Sequence, residues 1–320
     1  MTSTARAHTN IALIKYWGKR NAKLILPYTS SVSLTLDDFY TDTTVAFDSD
    51  LAADTFVLDG KLQPAPKVSA FLDLVRAQAK LNQFARVTSV NHVPTAAGLA
   101  SSASAYAALA LAASRDAGLS LSSLELSRLA RRGSGSASRS IFGGLAIWHR
   151  GEDDLTSFAE ALPETHLPLR MVVVMVDAGP KPVSSRQLMA NTVATSPYFS
   201  AWVENNEQAA GEMVNALAAA DFTRVGELTE QSSARMHAAI FASAPAFTYF
   251  QPATLQVWHA VQAMRAQGIP AYATMDAGPN VKILTLAPAV EAVKAALPEF
   301  QDRLLVAGPG PAAKVLEEAR

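Results

Sequence analysis

The order of strand-like and helix-like segments is the feature that most constrains the fold of this chain. Segments rich in β-branched and aromatic residues, or alternating between apolar and polar residues, lie in the first half and again near the end. Segments with helical spacing fill most of the region between them. This order is typical of an α+β layer architecture and argues against alternating βαβ units. We therefore predict an α+β fold.

The individual elements follow from the same patterns. Strands are predicted at 10–17, 31–36, 43–47, 55–58, 86–93, 144–149, 169–176, 271–275, 281–286 and 303–306. Helices are predicted at 66–81, 105–113, 122–132, 186–193, 201–220, 222–241, 252–267 and 288–296. The 43–47 and 55–58 segments are expected to form a strand pair, and Asp59-Gly60 to form a hairpin turn. The polar stretch 150–165 suggests two domains, 1–165 and 166–320.

Composition excludes several functional classes. The 320 residues carry a net charge of -1, so no global field attracts nucleic acid or an anionic membrane. There is no cysteine, which excludes disulfides, thiolate catalysis and cysteine-based zinc sites. The first ten residues lack the apolar core of a signal peptide, and no apolar run approaches the roughly 18 residues of a membrane span. We expect a cytoplasmic globular protein that binds neither nucleic acid nor membranes.

A first candidate anion site lies at 94–104, where a strand stops at Pro94 and an alanine-rich helix follows. Gly98 allows unusual backbone angles, and Ser101, Ser102 and Ser104 add hydroxyl groups near the helix start. Free backbone N–H groups and the helix dipole at such a start favour a phosphate. The alternative is an ordinary serine-capped helix. No Gly-Lys-Ser/Thr follows, so this is not a Walker loop.

A second candidate site is the predicted loop 133–139, Gly-Ser-Gly-Ser-Ala-Ser-Arg. Its serines offer N–H and hydroxyl donors, and Arg139 can hold a carboxylate or phosphate by two hydrogen bonds. The alternative is a flexible linker with a solvated arginine. The spacing matches neither the dinucleotide-binding glycine motif nor a nucleophile elbow.

Three further charged groups are individually weak signals. Lys15 lies in a run of cations and aromatic residues at 15–20, and Lys181 and Arg186 flank a serine pair. For each of them the plain alternative is a solvated surface residue. Asp276 lies in a turn, where aspartate usually caps its own backbone. None of the six histidines shows metal-ligand spacing, so the metal ligands stay unknown.

Together, however, four segments closely resemble the motifs of the diphosphomevalonate decarboxylase family, in the family's order and spacing. They are 10–20 (Asn-Ile-Ala-Leu-Ile-Lys-Tyr-Trp-Gly-Lys-Arg), 94–102 (Pro-Thr-Ala-Ala-Gly-Leu-Ala-Ser-Ser), 133–139 and 276–280 (Asp-Ala-Gly-Pro-Asn). The resemblance covers almost the whole chain. The 94–102 segment alone points only to the wider GHMP kinase superfamily, and the other segments narrow it to the decarboxylase branch.

The resemblance implies an N-terminal domain similar to ribosomal protein S5 domain 2, a ferredoxin-like C-terminal domain and an active site between them. It implies ATP-dependent decarboxylation of mevalonate 5-diphosphate, with ATP and Mg2+ as cofactors and a homodimer as the assembly. The implied catalytic residues are Asp276, Lys15 and Arg139. The implied substrate-binding residues are Asn10, Tyr16, Lys19, Ser134, Gly135, Ser136, Ser185 and Arg186. The implied ATP-binding residues are Pro94, Ala97, Gly98, Leu99, Ala100, Ser101, Ser102 and Ser104.

One departure from the family pattern concerns three residues expected to flank the substrate pocket. The chain has Asn21 where the family mostly has aspartate, and Tyr28-Thr29 where it mostly has Met-Asn. Two alternative functions also stay open. One is a GHMP kinase or decarboxylase that acts on mevalonate or its 5-monophosphate, and the other is a nucleotide sensor that has lost catalysis.

Overall fold

The computed structural model describes residues 2–92, 101–177, 179 and 183–316, and it confirms the predicted α+β fold. The strands of the N-terminal half are β1 (Ser3–Ile14), β2 (Lys19–Asn21), β3 (Leu26–Pro27), β4 (Ser31–Asp48), β5 (Thr55–Leu58), β6 (Lys61–Gln63), β7 (Phe84–His92), β8 (Leu145–Trp148) and β9 (Ala159–Ala161). Its helices are α1 (Pro66–Ala79), α2 (Ser101–Asp116) and α3 (Ser123–Gly133), followed by a 3-10 helix at Gly135–Ile141.

The C-terminal half forms a second, smaller sheet with helices packed around it. Its strands are β10 (Leu169–Val174), β11 (Ala271–Met275), β12 (Val281–Leu286) and β13 (Leu304–Ala307), and β14 (Lys314–Leu316) follows them. Its helices are α4 (Ser185–Thr195), α5 (Phe199–Ala218), α6 (Phe222–Phe241), α7 (Pro252–Ala266) and α8 (Val290–Ala295), with 3-10 turns at Ala287–Ala289 and Pro298–Arg303. The order within the sheet is β11-β12-β10-β13, antiparallel throughout.

The N-terminal sheet has the order β14-β1-β4-β7-β5-β6, with β8 and β9 branching from β4. Helix α2 packs on this sheet, because its alanines allow close approach and ten of its residues are buried. Helix α3 begins with a capping box in which Ser122 and Glu125 bond each other's backbone N–H groups. Strand β14 pairs with β1, so the end of the chain completes the sheet begun by its start.

One hydrophobic core joins the two halves. Ile11 of β1 and Leu34 of β4 belong to the same buried cluster as Met171 of β10 and Met213 of α5. The end of β1 is therefore held against the C-terminal helices, which positions the residues that follow β1 close to the second sheet.

Two local predictions were wrong. The 43–47 segment does not pair with 55–58, because it continues β4, an 18-residue strand that pairs with β1 and β7. Strand β5 instead pairs in parallel with β7, after a connection through β6 and α1, while Asp59-Gly60 joins β5 to β6. The predicted loop 133–139 is largely the 3-10 helix, since Ala137 and Ile141 anchor it in the core and Ser138 donates to Gly135 O at 2.8 Å.

Candidate active site

The centre of the site is an ion pair between residues that are 261 positions apart. Lys15 directly follows β1 and Asp276 directly follows β11. Lys15 Nζ donates to Asp276 Oδ1 at 2.7 Å and to Ala12 O at 2.9 Å. The Lys15 side chain is only 2% exposed, so it is not the solvated surface lysine of the alternative interpretation. Burial lowers the pKa of Lys15, and the Asp276 carboxylate opposes that effect.

The Lys15 backbone is fixed by two helices of the other half. Ser232 of α6 accepts a hydrogen bond from Lys15 N–H at 2.9 Å, and Asn206 of α5 donates to Lys15 O at 2.9 Å. Ser232 also donates to Asn206 Oδ1 at 2.8 Å. Because all these groups are buried, the turn after β1 has little freedom.

Arg139 lies beside this pair and is also buried, at 2% exposure. Its guanidinium donates to Asn10 Oδ1 at 3.1 and 3.3 Å and to the Ser31 hydroxyl. Asn10 in turn donates to Ser136 O at 3.0 Å and to Ser140 Oγ at 2.7 Å. Burial lowers the pKa of Arg139 to about 10, while the charge of Asp276 acts to raise it. Asn10 sits beside a β-bulge in β1, a device that re-aims side chains at functional sites.

These residues line a cavity of about 390 Å³ between the two halves. The cavity brings together most of the predicted site residues: Asn10, Lys15, Tyr16, Lys19, Ser102, Ser134, Gly135, Ser136, Arg139, Ser185, Arg186 and Asp276. It is strongly cationic, because Asp276 is the one carboxylate among its described lining residues. The arrangement suits a small, highly anionic ligand.

The anion-facing side of the cavity combines Tyr16, Lys19 and the start of the 3-10 helix. Burial raises the pKa of Tyr16, so its hydroxyl stays protonated. Burial, and to a smaller degree the charge of Arg186, lowers the pKa of Lys19 to about 8. Gly135 is required here because a Cβ would lie 2.8 Å from the Trp148 ring and 2.9 Å from Tyr16.

The predicted ATP-binding residues differ in where they lie relative to the cavity. Pro94, Ala97, Gly98, Leu99 and Ala100 lie outside the described residues, as does Lys181. Ser101 and Ser102 open α2 and are exposed, and Ser102 lines the cavity. Ser104 does not reach it, because its buried hydroxyl contacts Thr41 Oγ1 at 2.8 Å and Ser101 O at 3.1 Å.

A neighbouring pocket of about 440 Å³ adjoins the cavity at Ser102, Lys67 and Tyr106. Its lining is mainly apolar, with polar groups from Ser89 and Asn91 at one side. No sequence pattern predicted this pocket or its lysine, since a lysine in the first turn of α1 carries no distinctive signal.

Three positions that depart from the family pattern lie outside the cavity lining. Asn21 Oδ1 accepts from Leu24 N–H at 2.9 Å in the turn between β2 and β3. Tyr28 packs edge-on against Phe199, and the Thr29 hydroxyl accepts from Asn206 Nδ2 at 2.9 Å. These residues therefore support neighbouring elements and do not face the ligand space.

Two models of known protein families match successive parts of the chain. Residues 7–159 match the family model of the diphosphomevalonate decarboxylase-like N-terminal domain, and 171–304 match that of the mevalonate 5-diphosphate decarboxylase C-terminal domain. The diphosphomevalonate decarboxylase of Rattus norvegicus is 38% identical over 320 residues, which cover 92% of this chain and 79% of the rat protein.

Solved structures agree over nearly the full length. The mevalonate diphosphate decarboxylase from Enterococcus faecalis is 49% identical with a TM-score of 0.94, and the match covers 99% of both chains. MDDEF in complex with MVAPP, AMPPCP and magnesium is 50% identical with a TM-score of 0.95, again over 99% of both chains.

Proposed function

We propose that this chain, which belongs to the diphosphomevalonate decarboxylase family, converts mevalonate 5-diphosphate into isopentenyl diphosphate. The reaction consumes ATP and releases ADP, phosphate and CO2, and it is a step of the mevalonate pathway of isoprenoid biosynthesis. The observation that carries the proposal is the buried Lys15–Asp276 pair beside Arg139, in a cationic cavity between the two halves.

The substrate dictates what the site must do. Its tertiary 3-hydroxyl is a poor leaving group, so its oxygen first attacks the γ-phosphorus of ATP and ADP leaves. The C3–O bond then breaks and the phosphate departs with the electron pair, which develops positive charge at C3. The bond between the carboxylate and C2 breaks, CO2 leaves, and its bonding electrons form the C2–C3 double bond.

Asp276 and Lys15 serve the phosphoryl transfer. Asp276 orients the 3-hydroxyl and accepts its proton, which leaves late in a loose transition state, so a strong base is not needed. The carboxylate regains its charge when that proton passes to the transferred phosphate group, and its negative charge then favours the cation that develops at C3. Lys15, bonded to Asp276 at 2.7 Å, neutralises charge on the transferring phosphoryl group.

Arg139 holds the substrate carboxylate and aligns the bond that breaks. Its guanidinium is already oriented by Asn10 and Ser31, so little freedom is lost on binding. A tight ion pair also stabilises the carboxylate that must be lost. Positioning therefore has to outweigh this ground-state stabilisation.

The diphosphate and hydroxy-acid parts of the substrate bind to the anion-facing side. The hydrogen-bond donors there are hydroxyl groups, backbone N–H groups and two cations. The hydroxyl groups belong to Tyr16, Ser134, Ser136 and Ser185, the N–H groups lie near Gly135, and the cations are Lys19 and Arg186.

ATP occupies the adjoining apolar pocket and the junction between the two spaces. The mainly apolar lining suits a flat base, and Asn91 and Ser89 can bond its polar edge. Ser101 and Ser102 at the start of α2 then face the phosphates, where backbone N–H groups and the helix dipole favour an anion.

Mg2+ fits this arrangement as a partner of the ATP phosphates. Among the described residues there is no group of three His, Asp or Glu side chains that could hold a metal ion alone. Phosphate oxygens and water would therefore supply most of its ligands, as is common for this ion, with at most two such side chains from the described residues. When bound, it neutralises charge on the β- and γ-phosphates.

A paired assay tests the proposal. Purified protein with ATP and Mg2+ should release CO2 and phosphate in equal amounts from mevalonate 5-diphosphate, but not from the 5-monophosphate or free mevalonate. ADP formation without CO2 would identify a kinase. Activity on the monophosphate would place the chain in a sister branch, and no ATP turnover would favour a nucleotide sensor.

Three further predictions remain proposals: the division into two domains near residue 165, the homodimer and the cytoplasmic location. The division at residue 165 agrees with the gap between the two matched family models, although β14 returns to the first sheet. No helix in the described part of the chain is long and apolar enough to cross a bilayer. A homodimer and a cytoplasmic location are tested by sedimentation analysis and by cell fractionation.

A further inference from the structure

We propose that Lys282 is a positioning residue of this reaction, which together with Lys15 brackets the Asp276 carboxylate with one ammonium group at each oxygen. The inference rests on the proposed function and deepens it. It adds a residue outside the four sequence segments that define the family resemblance.

The geometry of the bracket is specific. Lys15 Nζ lies 2.7 Å from Asp276 Oδ1, and Lys282 Nζ lies 3.5 Å from Asp276 Oδ2. The two lysines approach from different sheets, since Lys15 follows β1 and Lys282 is the second residue of β12. Lys282 also donates to Asn280 O at 3.3 Å. A hydrogen bond at one oxygen and an ion pair at the other restrict rotation of the carboxylate, which favours one orientation toward the 3-hydroxyl before substrate arrives.

The strand position of Lys282 argues against a purely structural origin. Val281 and Ile283 of β12 face one core, whereas Leu284 belongs to the core that joins the two halves. Because strand side chains alternate, Lys282 shares its face with Leu284, where an apolar residue is expected. Its register partner Val173 on β10 belongs to that same core.

Burying this ammonium group is costly. The Lys282 side chain is 1% exposed, and burial lowers its pKa while Asp276 acts to raise it. Replacing a whole buried ion pair or triad by apolar residues of similar volume is often neutral or stabilising, and removing one member is costly when it leaves another without a partner. Without Lys282, Asp276 would still be paired with Lys15 at 2.7 Å. Methionine at this position would therefore stabilise the fold about as well as lysine does. The benefit of the lysine must lie in function.

The charge balance indicates that benefit. Two ammonium groups and one carboxylate leave the triad with a net charge of +1, and without Lys282 the triad would be neutral. The excess charge lies beside the cavity, which Lys15 and Asp276 line, and there the proposed phosphoryl transfer develops negative charge. It also helps Asp276 to remain an anion while positive charge develops at C3.

The test is Lys282→Met, which removes the charge and keeps a similar shape. We expect kcat to fall roughly 10- to 100-fold, in the range seen when a supporting outer partner is lost. We expect the KM for mevalonate 5-diphosphate to change little, because Lys282 acts through Asp276 and does not line the cavity. The melting temperature should stay equal or rise.

Two further variants keep the test decisive. Leu284→Met, on the same face of the same strand, should leave kcat at the wild-type value, because it changes shape without changing charge. Lys282→Gln serves as a second uncharged variant and should match Lys282→Met in kcat.

The outcomes separate the possibilities. An unchanged kcat in both Lys282 variants would overturn the inference. A fall in kcat that only follows a lower melting temperature, or a failure of both variants to fold, would assign Lys282 a structural role and overturn it as well. If the wild-type protein releases no CO2, the proposed function itself fails, which is a different result.

Discussion

The floor and the rim of the cavity use charge in opposite ways. The floor consists of Lys15, Arg139 and Asp276, and Lys282 lies beneath it against Asp276. All four are almost entirely buried, except for Asp276 at 22%, and they are bonded to one another or to fixed polar groups. On the rim, Lys19, Lys67 and Arg186 are half-buried or exposed. Within the described residues, none of these three forms an ion pair with a carboxylate of the chain.

This difference indicates a division of tasks. Charges fixed in a dry site need no reorganisation when the transition state forms, so the floor is suited to stabilising the transition state of the chemical step. Cations left without a carboxylate partner keep their attraction for an anion from solution, so the rim suits binding. Changes on the floor should therefore lower kcat, and changes on the rim should raise KM.

The largest effect is expected for Asp276→Asn, which removes the one negative charge of the floor. Turnover should fall by at least about 1,000-fold, because proton acceptance and the stabilisation of C3 are both lost. ATP binding should persist, since the rim is unchanged. Release of CO2 and phosphate, together with nucleotide titration, measures both expectations.

Asp50→Asn is the matched control for that variant. It makes the same substitution at an exposed turn and should leave turnover unchanged. Near-normal turnover in Asp276→Asn would rule out the role assigned to the carboxylate.

Arg139→Ala tests whether the floor also binds. Loss of the guanidinium should raise KM for the substrate and lower kcat, with kcat/KM reduced roughly 100-fold or more. Steady-state kinetics with CO2 detection gives both constants. Arg86→Ala, at an exposed ion pair with Asp48, should change neither. Unchanged constants in Arg139→Ala would contradict its contact with the carboxylate.

Lys19 tests the rim through pH. Its pKa is lowered to about 8, so in the free protein it loses its proton as pH rises through about 8. Only the charged form attracts the diphosphate, so KM for mevalonate 5-diphosphate should rise above that pH and stay flat below it. In Lys19→Met this rise should disappear, with KM raised roughly 10-fold at pH 7 and kcat little changed.

A KM profile that keeps the same pH dependence in Lys19→Met would show that another group titrates. Kinetics at six or more pH values, with ATP saturating, distinguishes the two cases.

The smallest effects come from two serines near the start of α2. Ser102→Ala should raise KM for ATP a few-fold without a change in melting temperature, because its exposed hydroxyl lines the cavity. Ser104→Ala should leave KM for ATP unchanged and cost about 1 kcal/mol in the free energy of unfolding, because its hydroxyl is buried against Thr41. ATP titration and thermal unfolding of both variants test these expectations. A raised KM for ATP in Ser104→Ala, with no change in Ser102→Ala, would show that Ser104 contacts ATP.

Local patterns predicted the elements that periodicity defines strongly. Helix α6 and strands β11 and β12 lie at the bounds expected from sequence, because each has a clear apolar pattern and clear breaks at its ends. The four resembling segments also contain many of the residues that line the cavity, including Lys15, Arg139 and Asp276. Pairing between distant strands was less accessible, as the parallel partner of β5 shows, because it depends on the path of the chain through α1.

The sequence by itself determined the α+β class, most of the helices and strands, and the family, since these follow from periodicity and from motifs that are contiguous in the chain. Only the tertiary structure decided that Lys15 is buried, that Ser104 turns away from the cavity and that Lys282 faces Asp276. These facts depend on which surfaces two sheets and their helices present to each other. The contact between these surfaces depends on packing between residues hundreds of positions apart, which no local sequence pattern encodes.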